Sequence, residues 1–238
     1  MSFNCLSKIL YIYNCKLFMS LKQDYFKNKW KSDVKVNDRS LLAERDVSTI
    51  IYLLKEFYNF DLKEKHKILD LGSGDKFLEK EFSKRSMIYN ALDIEDLNFD
   101  KDKFNFENNT FDLVVSLAVL EHLNNPYLFL NEIKRVLKNK SYIFLSTPNW
   151  KYSKNFFFDD VTHVKPYSPE SLNEILKITG FNNIQILPNL RCKSKWWYEG
   201  KNKFFKANYL LPFTNDTKFV PKFLKGKSRG MFAIGMKE

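Results

Sequence analysis

Short apolar runs alternate with stretches of helical periodicity along the middle of the chain. Apolar side chains at helical spacing predict a helix over residues 40–60. The run Lys67–Leu71 is apolar and is followed by a glycine, which indicates a buried strand. Two further strands are predicted at residues 87–92 and 111–117. The last of these contains Leu-Val-Val without polar alternation, which is typical of a strand covered on both faces.

The alternation continues in the second half of the chain. The predicted elements are a helix at 127–138, a strand at 142–145, a helix from Ser168 to Gly180, and strands at 181–187 and 231–235. Ser168 and Pro169 have the N-cap and first-turn chemistry of a helix start. Strands and helices in this order predict an α/β fold, and we expect a Rossmann-like, doubly wound, mostly parallel seven-stranded sheet with helices on both faces.

Residues 189–228 interrupt the pattern, because they are basic and rich in large aromatic side chains. A structureless loop of this length is unusual in a compact domain, so we predict an inserted cap before the last strand. Residues 1–38 are predicted to be an N-terminal extension of the main domain, which spans 39–238. Met19 is an in-frame alternative start, which leaves open whether residues 1–18 belong to the functional protein.

Composition narrows the class of protein. The 238 residues are 44% hydrophobic and 28% charged, as in an ordinary globular domain. The three cysteines are far apart and form no C-x-x-C pair, so we expect neither a metal site nor disulfides, and a reducing compartment. No run approaches the roughly 20 apolar residues of a membrane span. These features favour a cytoplasmic protein.

The net charge of +11 is concentrated near one end of the chain. Residues 189–238 hold 12 Lys and Arg against 3 Asp and Glu, a balance of +9. Such a segment suits nucleic acid, an anionic membrane surface or a phosphorylated substrate. The alternative is a compositional bias, since the chain has 33 Lys and only 6 Arg.

A glycine turn follows the first predicted strand. Gly72 and Gly74 flank Ser73, directly after Asp70 and Leu71. Two glycines one residue apart let the backbone bend sharply and approach a ligand without a Cβ between them. Asp93 lies 21 residues after Gly72 at the end of the second strand, where a carboxylate can accept hydrogen bonds from ribose hydroxyls. Ordinary turns also contain Gly-x-Gly. A ribose-binding site is therefore indicated only by the combination of the glycine turn with Asp93 at this spacing.

The whole series of motifs resembles the class I S-adenosylmethionine-dependent methyltransferases. In chain order the motifs are Asp70-Leu71-Gly72-Ser73-Gly74, Asp93, Phe99-Asp100-Lys101, Asn109-Thr110-Phe111-Asp112-Leu113-Val114, Val119-Leu120-Glu121-His122-Leu123, Arg135-Val136-Leu137-Lys138, Ser146-Thr147-Pro148-Asn149 and Thr162-His163-Val164-Lys165-Pro166-Tyr167-Ser168. The resemblance covers about residues 40–187 and implies S-adenosyl-L-methionine as cofactor.

The resemblance also implies roles for individual residues. Asp70 is expected near the methionine amino group, Asp93 at the ribose and Asp100 at the adenine amino group. The full expected cofactor set is Asp70, Gly72, Ser73, Gly74, Asp93, Ile94, Asp100, Lys101 and Ser116. One position departs from the family: Lys76 stands where a third glycine is common. We expect its side chain to point to solvent.

Methyl transfer to an oxygen needs a base near the acceptor proton, and two histidines are candidates. His122 and His163 follow strands at their carboxyl ends, where open α/β sheets bind ligands. The alternative for His163 is a structural pairing with Asp159 or Asp160. For His122 a structural or cofactor-packing role is favoured over acid–base work. Candidate acceptor-binding residues are Asn149, Trp196 and Trp197.

The resemblance favours a small-molecule or glycan acceptor, such as a sugar of a surface polysaccharide. A sugar ring could stack on the aromatic cap while a lysine holds a phosphate. Peripheral contact with an anionic membrane would suit a lipid-linked sugar. Two alternatives stay open: an RNA methyltransferase, favoured by the isoelectric point of about 9.3, and a non-catalytic binding protein that keeps the fold.

Overall fold

A computed structural model describes residues 24–25, 39–189, 211–214 and 217–238. The chain divides into two units, Met1–Arg39 and Ser40–Glu238, and the second contains all the elements discussed below apart from the first residue of one helix. Trp196 and Trp197, two of the expected acceptor-binding residues, lie outside the described residues. No helix in the described ranges is both long and apolar enough to cross a membrane.

Strands and helices alternate as the hydrophobic pattern predicts. The strands are β1 (Lys67–Leu71), β2 (Ile88–Leu92), β3 (Phe111–Leu117), β4 (Leu137–Pro148), β5 (Phe181–Pro188), β6 (Phe213–Thr214), β7 (Lys225–Lys227) and β8 (Gly230–Lys237). The α-helices are α1 (Arg39–Tyr58), α2 (Glu79–Ser83), α3 (Pro126–Val136), α4 (Trp150–Ser153) and α5 (Pro169–Ile178). Two 3-10 helices, Leu120–His122 and Lys154–Asp159, matter for the site.

The main sheet has the strand order β2-β1-β3-β4-β8-β5. Strands β1, β2, β3 and β4 pair in parallel, and β8 lies antiparallel between β4 and β5. The chain therefore leaves β1 towards one edge and returns through β3 towards the other. That reversal is the topological switch point beside which ligands bind in open α/β sheets.

The sheet buries a different set of helices on each face, because successive side chains of a strand point to opposite sides. Ile68 of β1 packs with α1, through residues such as Val47 and Leu54. Its neighbour Leu69 packs on the other face, where α3 and α5 contribute Phe129 and Leu172. The expected doubly wound, mostly parallel architecture is confirmed.

Six strands, instead of the expected seven, form this sheet in the described part of the chain. The connection between β2 and β3, residues 93–110, runs through turns and bends and adds no edge strand beyond β2. It holds Phe99 and Phe104 in an edge-to-face aromatic cluster with Phe129 of α3. The hydrophobic pattern located each of the six strands, and the count of seven was one too high for these residues.

Side-chain caps fix where two of the helices begin. Asn125 caps α3, and its side-chain oxygen accepts from the Leu128 N–H at 3.4 Å. Ser168 caps α5 as predicted, with a reciprocal bond from Ser171 and Pro169 in the first turn. A side-chain oxygen at an N-cap satisfies an N–H group that has no partner within the helix.

The segment between β5 and β8 is closed at its base, and we call this junction the neck. The Asn189 N–H donates to the Gly230 carbonyl at 3.0 Å, and the Ser228 hydroxyl donates to the Asn189 carbonyl at 2.7 Å. Within the segment, the short strands β6 and β7 pair in parallel. The ends of the predicted cap thus meet at one point on the sheet.

Candidate active site

The glycine turn after β1 has the backbone geometry that only glycine adopts easily. Gly72 and Gly74 have φ angles of +75° and +55°. The Gly72 N–H donates to the Leu92 carbonyl at 2.8 Å, which ties the turn to the end of β2. A Cβ on Gly72 would lie 2.2 Å from Cγ2 of Val119. Both the angle and the available space therefore require glycine at position 72.

Lys76 shows why the family favours a third glycine here. Its φ angle is +56°, the left-handed region that costs a residue with a side chain roughly 1–2 kcal/mol. The side chain is exposed, as expected. The backbone keeps the glycine-like turn, and its N–H donates to the Ser73 carbonyl at 2.9 Å.

Asp93 closes the turn from the neighbouring strand. One carboxylate oxygen accepts from the Gly74 N–H at 2.5 Å and the other accepts from the Ile94 N–H at 2.6 Å. Burial raises the pKa of Asp93, and the two backbone donors oppose that shift. An ionised carboxylate has about four acceptor positions, so two stay for ribose hydroxyls. The structure brings the expected residues Gly74, Asp93 and Ile94 together.

Asp70 is a buried acid at the end of β1, and its side chain is 2% exposed. The Tyr89 hydroxyl of β2 donates to Oδ2 of Asp70 at 2.6 Å. Burial raises the pKa of Asp70 to about 7, although the tyrosine bond lowers it. Tyr89 was not selected from the sequence, although it is the second residue of β2, the strand that pairs with β1.

The expected adenine-binding residues are already engaged with protein groups. The Asp100 carboxylate accepts from the Asn125 N–H at 2.7 Å and from the Asn124 side-chain amide at 3.2 Å. The Lys101 N–H donates to the Asn98 carbonyl at 3.0 Å. Asp100 therefore anchors the start of α3, and its expected contact with adenine stays a prediction.

Two features of this half fit a nucleoside cofactor. The turn at Gly72 presents backbone with no Cβ in the way, next to the acid Asp93. At the end of β3, the Ser116 hydroxyl is buried and has no hydrogen-bond partner among the described residues. Because buried polar groups are normally paired, an unpaired hydroxyl beside the switch point indicates a missing ligand. The residues present fit the expected S-adenosyl-L-methionine.

The second half of the site begins with a strained turn after β3. Ala118 has a φ angle of +58°, and its N–H donates to the Ser146 carbonyl of β4 at 2.8 Å. Left-handed backbone in a residue with a Cβ persists where surrounding structure enforces it, often at functional sites. The turn places the 3-10 helix Leu120–His122 at the carboxyl ends of β3 and β4.

Hydrogen bonds assign the ring proton of His122. The Thr162 hydroxyl donates to the Asp160 carboxylate at 2.5 Å, because a carboxylate can only accept. At its 2.9 Å contact with Nδ1 of His122, the same hydroxyl oxygen must therefore accept. Nδ1 of His122 carries the proton, and the lone pair of the neutral ring lies on Nε2.

A hydrogen bond also assigns the ring proton of His163. Its Nδ1 lies 2.6 Å from the Phe157 carbonyl, which can only accept. Nδ1–H thus donates, and Nε2 of the neutral ring carries the lone pair. The two imidazoles pack with centroids 4.7 Å apart. The structure brings both candidate histidines into one cluster.

Glu121 completes this cluster, and sequence reasoning did not select it. Its carboxylate is 1% exposed and accepts from the Thr147 hydroxyl at 3.0 Å. Oε1 of Glu121 and Oδ2 of Asp160 each lie 4.0 Å from Nε2 of His163. Two carboxylates at this distance stabilise a protonated imidazole. The signal was an acidic residue next to a histidine between the apolar residues of Val-Leu-Glu-His-Leu.

Three side chains of this cluster are close enough together to hold a cation. Glu121, His122 and His163 each offer one ligand atom, and these atoms lie within 4.8 Å of one another. The sequence led us to expect no metal, and this expectation stays a prediction.

Tyr167 adds a buried hydroxyl beside the cluster. The residue is 2% exposed, and its hydroxyl has no hydrogen-bond partner among the residues that the structure describes. Burial raises the pKa of Tyr167, and the nearby Glu121 carboxylate adds to that shift. A second unpaired hydroxyl, this time near Glu121, indicates where a substrate group could bind.

Asn149 has a clear structural role. Its side chain caps α4 by accepting from the Lys151 N–H at 3.1 Å, and its N–H donates to the Arg229 carbonyl at 2.7 Å beside the neck. It also bridges to Tyr167. Asn149 therefore joins the start of α4 to the chain beside the neck, and its direct contact with an acceptor stays a prediction.

Comparison with known proteins defines the class. A profile of the family described as "Methyltransferase domain" matches residues 43–186, more than half of the chain. The chain belongs to this methyltransferase family. The resemblance to class I S-adenosylmethionine-dependent methyltransferases, stated from the motifs, is confirmed.

Two relatives and one solved structure are similar to this chain. It is 33% identical to an uncharacterized protein of Methanocaldococcus jannaschii over 186 residues, covering 69% of this chain and 79% of the relative. It is 23% identical to the ubiquinone biosynthesis O-methyltransferase of Pelagibacter ubique over 184 residues, covering 67% and 75% of the two chains. A solved SAM-dependent methyltransferase from Archaeoglobus fulgidus shares the fold with a TM-score of 0.58, at 21% identity over 88% of this chain and 99% of that one.

Proposed function

We propose that this methyltransferase transfers a methyl group from S-adenosyl-L-methionine to an oxygen atom of a small-molecule or glycan acceptor, with His163 as general base. The observation that carries the proposal is the His163 ring, fixed by the Phe157 carbonyl so that the Nε2 lone pair faces a buried polar cluster. When bound, the cofactor would supply a sulfonium methyl that is already activated for transfer.

The chain's own residues would divide the remaining work. The turn at Gly72 and Gly74, with Asp93, would hold the nucleoside, and Asp70 would face the methionine end. Nε2 of His163 would take the proton from the acceptor hydroxyl as the new bond forms. Glu121 and Asp160, each 4.0 Å from that nitrogen, would stabilise the resulting imidazolium.

The enclosure of the cluster supports a small acceptor group. The His163 side chain is 13% exposed, and Phe157 packs against its ring with centroids 4.6 Å apart. The unpaired Tyr167 hydroxyl could donate to a second oxygen of the acceptor. Sugars carry neighbouring hydroxyls that would suit this pair of groups, which is why we retain a glycan as the narrower proposal. One relative, named a ubiquinone biosynthesis O-methyltransferase, also has oxygen as its methyl acceptor.

The experiment compares His163→Gln with wild type in two assays. Calorimetry with S-adenosylhomocysteine reports cofactor binding, and transfer from tritiated S-adenosylmethionine to sugar nucleotides, oligosaccharides, dihydroxyaryl acids and total tRNA reports acceptor choice. We expect cofactor affinity within a few-fold of wild type and transfer reduced by about 10²–10⁴, the usual contribution of general base catalysis. His66→Gln is the matched control, since His66 precedes β1 and stacks on Phe60 away from the cluster.

Two outcomes would contradict the proposal. Unchanged transfer by His163→Gln would show that this histidine is structural, as its contact with Asp160 would also permit. Methylation of tRNA with no transfer to the small acceptors would establish the RNA alternative instead.

A further inference from the structure

The acid at the end of β1 has an unusual environment for a group expected to meet a cation. Asp70 is 2% exposed, and its carboxylate accepts a 2.6 Å hydrogen bond from the Tyr89 hydroxyl. Three further acids act electrostatically on this pair: Asp93 acts on Asp70, and Glu79 of α2 and Asp75 of the glycine turn act on Tyr89. Their negative charges oppose ionisation of the pair.

A buried carboxylate in such surroundings favours its protonated form, because burial and like charges both disfavour ionisation. A hydrogen bond donated to the carboxylate acts in the opposite direction. Burial, the largest of these effects, raises the pKa of Asp70 to about 7. The hydrogen bond from Tyr89 keeps this pKa from rising further. The group is thus poised near neutral pH before any ligand arrives.

We propose that Tyr89 is a positioning residue for the cofactor: its hydroxyl fixes the Asp70 carboxylate and favours its ionised form, so that binding of the cofactor's cationic amino group releases a proton from Asp70 to solvent. The inference rests on the proposed placement of the methionine end at Asp70. It goes beyond that placement because it assigns a role to Tyr89 and couples cofactor binding to pH.

The geometry supports a precise role for the hydroxyl. Tyr89 lies on β2 opposite Ile68, two residues before Asp70 on the same face of β1. Its ring stacks with Phe82 at 6.1 Å, which fixes the ring independently of the hydroxyl. Tyr89→Phe should therefore keep the packing and remove the hydrogen bond alone.

The test is calorimetric binding of S-adenosylhomocysteine from pH 6 to pH 9, in two buffers of different ionisation enthalpy so that released protons are counted. For wild type we expect affinity to rise between pH 6 and 8, with net proton release below about pH 7. For Tyr89→Phe we expect affinity at pH 7 to fall by about three- to tenfold. The rise should move to higher pH, and the deficit should shrink by pH 9, where Asp70 ionises without help.

Two further variants separate this role from general destabilisation. Asp70→Asn can still accept the tyrosine bond but cannot ionise, so its proton release below pH 7 should vanish. Tyr58→Phe is the matched control. It removes a tyrosine hydroxyl bonded to the Asn183 and Ile234 carbonyls, away from the cofactor turn, and should bind as wild type.

A uniform loss of affinity at every pH in Tyr89→Phe would mean that the hydroxyl only supports packing, and would overturn the proposal. An unchanged affinity and pH profile would do the same. Because the assay needs no acceptor, its outcome is independent of whether His163 is the base.

Discussion

The two halves of the site are built in different ways. The half that we propose for the cofactor relies on backbone: a glycine turn with positive φ angles, closed by two N–H groups that donate to Asp93. The half that we propose for the acceptor relies on side chains from three separate segments: Glu121 and His122 after β3, Thr147 on β4, and His163 in the loop before α5. One half is a local structure, and the other is assembled by the sheet.

This difference explains how each half can change. A backbone turn is fixed by where glycine is required, so it tolerates few substitutions and binds one kind of ligand. A cluster of side chains at the carboxyl ends of strands can be altered one residue at a time without disturbing the sheet. Such a division would let related methyltransferases keep one methyl donor while they differ in the methyl acceptor.

The largest expected effect is a loss of cofactor binding with the fold retained. In Gly72→Val, the Cβ would clash with Val119 and the backbone would have to hold φ near +75°. We expect no detectable binding of S-adenosylhomocysteine by calorimetry, with circular dichroism still showing a folded α/β domain. Gly230→Ala is the control, because its new Cβ would meet only ordinary contacts of 3.5 Å or more and should bind normally. Tight binding by Gly72→Val would refute the placement of the turn.

A smaller effect is expected from the acceptor side. Trp196→Ala with Trp197→Ala should lower transfer to the true acceptor by more than about tenfold, equivalent to ~1.4 kcal/mol. S-adenosylmethionine affinity should stay within a few-fold, because these tryptophans are predicted to contact the acceptor only. An equal loss of cofactor affinity would mean that they are core packing and that the two halves are not independent.

The last effect is on folding stability, and it tests the buried acid itself. The pKa of Asp70 is raised to about 7 in the folded chain, against about 3.9 in an unfolded one. The folded state therefore holds a proton that the unfolded state loses, and this stabilisation, complete below about pH 4, is lost as pH rises through 7. Asp70→Asn should flatten that decline, by up to about 1.4 kcal/mol per pH unit, in urea unfolding at pH 4 to 7. Asp61→Asn, at an exposed ion pair with Lys55, should leave it unchanged.

The difference between the two halves also explains which site residues could be predicted from the amino-acid sequence. Gly72, Gly74 and Asp93 were found because their spacing follows from local geometry, and each lies at the end of a strand that the apolar runs located. Glu121 and Tyr89 were missed because their partners come from other strands: Thr147 is 26 residues away from Glu121, and Tyr89 is 19 residues away from Asp70. The sheet has six strands in the described part of the chain, and residues 93–110 lie in turns and bends, with Phe99 and Phe104 packed against Phe129 of α3.

The neck at Asn189 and Gly230 has a consequence for how the protein can diversify. Asn189 and Gly230, which flank the segment, are hydrogen-bonded to each other, so the chain leaves the sheet and returns to it at one junction. Loop-closure entropy changes by only about 0.6 kcal/mol for each doubling of length, so segments of very different size would burden the sheet almost equally. Recombination at this one junction could therefore exchange the segment in a single step, with the glycine turn inherited unchanged.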